Sequence, residues 1–107
     1  MKNYSIVLYT KEKLEKEYKE IFLLNEEFVF VDSFLAKNKD NEISFDYLIT
    51  DNLKVLSDLG AMIDNGFALT NASYQTSIEN VYAIGNAINL NKSIIDEIDI
   101  ILEDIGY

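Results

Sequence analysis

The chain has 107 residues, 49% hydrophobic and 26% charged, which is one domain's worth of globular sequence and too little for two cores. It has no Cys and no His, which excludes a disulfide framework, a thiolate or imidazole metal site, a cysteine nucleophile, a C-x-x-C redox pair and a Ser-His-Asp triad. The net charge is −10 and all nine basic residues are Lys, a poor surface for nucleic-acid phosphates or an anionic membrane.

Tyr4 to Tyr9 is β-branched, aromatic and apolar on both faces, the pattern of a buried strand. Thr10 offers an N-cap hydroxyl, and the period then becomes helical, with Leu14, Tyr18, Ile21 and Phe22 on one stripe. Phe28 to Val31 is expected to be a second buried strand, so the opening predicts a βαβ unit with a parallel pair. Lys37 to Asn41 is a polar loop, and Tyr47-Leu48-Ile49 a short third strand. Asp51 or Asn52 caps a short helix carrying Leu53, Val55, Leu56 and Leu59, and Gly60 stands where a C′ residue belongs. Asp64-Asn65-Gly66 is a type I′ hairpin signal between Ala61–Ile63 and Phe67–Thr70. Val81 to Ile84 is another buried strand, ending at Gly85. Ser93 caps a last helix with Ile94, Ile95, Ile98, Ile101, Leu102 and Ile105 on one side. Its polar face carries Asp96, Glu97, Asp99, Glu103 and Asp104. No apolar run reaches the roughly 20 residues of a membrane span. The start does not lead into a signal-peptide core, so the expected location is the cytoplasm.

The stretch from Asp64 to Asn86 carries a specific pattern. Asn65-Gly66 forms a hairpin, Gln75-Thr76-Ser77 leads in, and Val81-Tyr82-Ala83-Ile84-Gly85-Asn86 ends a strand. This order resembles the C-terminal FAD-binding signature of the two-dinucleotide-domain flavoprotein reductases, above all the low-molecular-weight thioredoxin reductases. On the same resemblance, residues 1–50 look like the second half of an NAD(P)H-binding domain, and residues 60–107 like the C-terminal FAD-binding segment. The implied fold is a single α/β domain: a small, mostly parallel sheet with flanking helices and a β-hairpin, of Rossmann-like derivation. The resemblance implies flavin contacts at Gly85 and Asn86, where the family has Gly-Asp, and a phosphate contact at Lys92, near the family's Arg-Gln-Ala.

The chain also departs from that family. Its four glycines form no G-x-G-x-x-G turn, and the redox cysteines are missing. Without a thiol it is not an autonomous disulfide reductase; an oxidoreductase label would describe ancestry. Acidic residues open the last helix and repel a pyrophosphate.

Each singled-out feature has a plainer structural explanation beside the functional one. Gly85-Asn86 is a flavin contact or a tight strand exit. Thr76 and Ser77 bind a ligand or hold a turn, and Lys92 meets a phosphate or stays solvated. The carboxylates of the last helix hold Mg²⁺, act as an acid or form a solvated face. The Ile-rich stripe is core or a dimer seam. The family's central first strand is missing, so the remaining strands must repack with one another or borrow a partner's edge. The resulting expectation is a cofactor-free accessory or interaction domain, a homodimer or the mate of a companion flavoprotein subunit. The alternative is a subunit of a split oxidoreductase that binds FAD or a nucleotide with a partner chain.

Overall fold

The computed structural model of the chain describes residues 1–89 and 92–107. At its centre two long strands run parallel, β1 (Lys2–Tyr9) and β5 (Glu42–Thr50), paired from Lys2↔Ile43 to Tyr9↔Thr50. The other edge of β1 takes β2 (Ile21–Leu24), also parallel. The other edge of β5 is divided. Its N-terminal end pairs antiparallel with β4 (Leu35–Lys37), which in turn pairs with β3 (Val29–Phe30); its C-terminal end pairs parallel with β8 (Val81–Ala83). These six strands form one mixed sheet.

Two α-helices are present among the described residues, α1 (Leu53–Asp58) and α2 (Ile94–Ile105). A small hairpin, β6 (Ile63–Asp64) and β7 (Phe67–Ala68), follows α1. Asn65 at φ 53° and Gly66 at φ 82° give it the two positive φ values that the Asn-Gly pair predicts. Asn52 caps α1 by accepting the Val55 N–H at 3.1 Å, and Ser93 caps α2 by accepting the Asp96 N–H at 3.1 Å. No helix among the described residues is long and apolar enough to cross a membrane.

The sheet keeps the expected parallel bias and is mixed only because β4 runs antiparallel to its neighbours β3 and β5. Two expectations are corrected. Phe28–Val31 supplies β3 in a tight hairpin; only Asp32, Ser33 and Phe34 lie between the Val31 N–H and the Leu35 carbonyl it bonds at 2.9 Å. A parallel crossover needs a dozen or more residues. The predicted helix over 11–22 is absent: residues 11–20 form an irregular strap, and Ile21 and Phe22 belong to β2. Thr10 caps no helix, since its hydroxyl accepts the Glu12 N–H in a two-residue turn. The strap is held by Asp99 of α2, which meets Lys16 at 3.2 Å and the Tyr18 hydroxyl at 3.0 Å.

At the centre of the sheet β1 lies directly against β5, and β8 joins the same sheet. Ile6, Val7 and Leu8 of β1, Leu48 and Ile49 of β5, and Val81 of β8 are wholly buried. Ile98, Ile101 and Leu102 of α2 join this core. Burial of such side chains contributes roughly 1.5–3 kcal/mol each. Ile98, Ile101 and Leu102 of the α2 stripe are therefore core, while Ile94, Ile95 and Ile105 are half-buried.

Candidate functional site

The parallel strands β1, β2, β5 and β8 all end at one edge of the sheet, followed by Thr10, Asn25, Asp51 and, one residue later, Gly85. Crevices for ligands in open α/β sheets form outside such carboxyl ends, where the connections diverge. Two threonines brace the edge. The buried Thr50 hydroxyl donates to the Tyr9 carbonyl at 2.7 Å and accepts the Asn52 N–H at 3.0 Å. The Thr10 hydroxyl, also buried, donates to Asp51 Oδ2 at 2.9 Å. Burial pushes the Asp51 carboxyl above its ordinary range and the charge of Glu12 adds to this, against the lowering effect of the Thr10 hydrogen bond. A cavity of about 290 Å³ opens here, with Thr10, Glu12, Asn25, Glu26, Asp51 and Asn52 in its wall.

The residues singled out in the sequence lie further along the same edge. Gly85 starts a 3₁₀ turn (Gly85–Ala87) with φ 58°, a conformation that suits glycine. Asn86 and Lys92 are exposed. Gly85 and Lys92 converge through their backbones on one group: the Gly85 N–H donates to Glu97 Oε1 and the Lys92 N–H to Glu97 Oε2, each at 2.8 Å. Glu97 itself is fully buried.

Glu97 is thus no part of a solvated helix face, and it does not stand outward to repel a ligand. A signal for this was available. Position 97 lies three residues after Ile94 and four before Ile101, so helical spacing places it within the apolar stripe. A carboxylate there must find donors inside the fold, and the turn after β8 supplies them.

The fit to a flavin is poor. Backbone N–H groups at the end of β8 and just before α2 make a concavity suited to an anion. The chain's own carboxylate fills it. A diphosphate would have to displace a buried Glu97 and then face its charge. Thr76 and Ser77 serve the chain as well: the Thr76 hydroxyl donates to the Val81 carbonyl at 2.8 Å, and the Ser77 hydroxyl accepts the Met62 N–H at 2.9 Å.

Other acidic residues of α2 have partners too. Asp104 accepts the Tyr82 hydroxyl at 2.7 Å, as Asp99 accepts that of Tyr18. Partial burial first, and then these carboxylates, push both phenols well above the ordinary tyrosine range. Among the described residues no group of three or more carboxylates is arranged to hold a metal ion. Compared with known proteins, the chain matches no family model, and no curated protein or solved structure matches it significantly.

Proposed function

We propose that this chain is a cofactor-free accessory or interaction domain, related by its Asp64–Asn86 pattern to the C-terminal region of thioredoxin reductase-like flavoproteins. One observation carries this reading: Glu97 occupies, from inside, the backbone donors of Gly85 and Lys92, the positions that the resemblance assigns to the cofactor. Exposed apolar side chains lend support to a partner-binding role. Val29, Val31 and Phe34, at the β3 end of the sheet, are 66%, 50% and 53% exposed. The partner is a second copy of the chain or a companion flavoprotein subunit.

The test is an absorption spectrum of the purified chain after incubation with excess FAD and desalting, together with sedimentation at several concentrations. The expected outcome is no retained flavin and a mass that rises with concentration. A retained band near ~450 nm would overturn the cofactor-free reading and restore Gly85 and Asn86 as flavin contacts. Retention of FAD only after a companion subunit is added would favour the split-oxidoreductase alternative. A strictly monomeric chain would remove the homodimer.

A further inference from the structure

The cavity at the ends of β1, β2 and β5 is independent of the Glu97 cluster and of the reading built on it. We propose that it binds a small organic cation, a primary amine, with Asp51 as the anchoring carboxylate. Its position is the first argument, since it lies outside the carboxyl ends of three adjacent parallel strands. Its volume of about 290 Å³ is close to the lower end of ordinary small-ligand pockets.

The charge of the lining decides the ligand class. Glu12, Glu26 and Asp51 bring three carboxylates, against the single ammonium of Lys11. The amide of Asn25 adds an acceptor oxygen, while that of Asn52 is held by its cap of α1. Anions and phosphates are repelled from such a wall in a chain of net charge −10. A bare metal ion fits no better, because these carboxylates do not gather into a ligand set. Charge carried on an extended organic skeleton suits carboxylates spread around a cavity.

Asp51 adds an independent indication. It is half-buried, yet the ion pairs found among the described residues, Lys16–Asp99 and Lys54–Asp58, both lie elsewhere. A partly desolvated carboxylate without a cationic partner is costly, and an incoming ammonium would relieve that cost. The Thr10 hydroxyl already holds Oδ2, so little ordering remains to be done on binding.

The test is titration calorimetry of the whole chain with 1,4-diaminobutane at low ionic strength, followed by amide shift mapping. The expected result is saturable one-to-one binding, with shifts at Thr10, Glu12 and Asn25. Asp51→Asn should weaken binding about tenfold, the loss of one charge-assisted contact. Asp40→Asn, an equal change of charge in the exposed turn between β4 and β5, should leave it unchanged. Glu26→Gln, at an exposed cavity position, gives a second weakened variant should Asp51→Asn fail to fold. Unsaturable heats, equal weakening by Asp51→Asn and Asp40→Asn, or equally tight binding of uncharged 1,4-butanediol would each overturn the assignment.

Discussion

Glu97 and Gly85 are joined by a 2.8 Å hydrogen bond from the Gly85 backbone N–H to the buried Glu97 carboxylate, which ties α2 to the end of β8. The same carboxylate takes the Lys92 N–H, so one side chain closes both ends of the connection between strand and helix. Glu97→Ala removes the acceptor from two N–H groups at once. A hydrogen bond to a charged group contributes about 1.5–3 kcal/mol, and the part-buried Lys92 N–H can turn to water, so a loss of roughly 1.5–3 kcal/mol is expected. Glu97→Gln keeps one acceptor oxygen and should lose less. Urea unfolding, read as a shift of midpoint at constant slope, separates the two variants.

Gly85→Ala tests the backbone of the same turn. Its added Cβ would sit 3.4 Å from Ile94 Cδ1 and 3.5 Å from Asp51 Cβ, ordinary contact distances. The cost is therefore the left-handed conformation at φ 58°, roughly 1–2 kcal/mol. Gly85→Val should lose more, because its further atoms must displace Ile94 or Asp51. Thermal unfolding of the two variants gives the order; an unchanged Gly85→Ala would show that the turn relaxes freely.

The two helix caps are expected to differ in consequence although their geometry is alike. Asn52→Ala and Ser93→Ala each lose one side-chain acceptor, worth about 1 kcal/mol. Amide exchange should show the Asn52→Ala effect confined to α1, a helix of six residues with one buried side chain, Leu56. The Ser93→Ala effect should spread to Gly85, because α2 carries Glu97.

The pH dependence of Asp51→Asn follows from burial. The Asp51 carboxyl titrates above its ordinary value of 3.8 in the folded state. Below that value it is neutral whether the chain is folded or not, and its contribution to stability is fully present. As pH rises through the elevated folded-state pKa, Asp51 ionises in a partly desolvated site and that contribution is lost. Glu12 faces the same cavity and its charge adds to the effect. Asp51→Asn should therefore be the more stable form at neutral pH, by less than about 1 kcal/mol for a half-exposed group. The advantage should close as pH falls towards 3.8. Denaturant midpoints measured at both ends of this range check the sign.

Much of the local structure was legible because single residues enforce it. Asn65-Gly66 allows one hairpin geometry, and Asn52 and Ser93 mark where α1 and α2 begin. The strap over 11–20 was not legible, although Leu14, Tyr18, Ile21 and Phe22 have helical spacing. Ile21 and Phe22 gain more by pairing with Ile6 and Val7 than a helix stripe offers, and tertiary pairing overrides a local period. Phe28–Val31 was legible as a strand but not as one arm of a hairpin, because β4 carries too few residues for a period to register. The sequence reading has Gly85, Asn86 and Lys92 facing an external ligand; the structure turns the Gly85 and Lys92 N–H groups onto Glu97 and leaves Asn86 at the surface. Glu97 was grouped by its charge with Asp96 and Asp99, when its place in the apolar stripe was the better guide.

The division of the β5 edge between β4 and β8 sets the order in which the chain can assemble. Pairing of β3, β4 and β5 closes only short loops, so this meander can form early. The β1–β5 partnership joins residues such as Tyr9 and Thr50, 41 positions apart, and must wait for a much larger loop to close. Until then Ile6, Val7 and Leu8 have at most β2 beside them, and the other edge of β1 stays open. The same central pairing that completes the folded core makes β1 the segment most exposed to aggregation during folding.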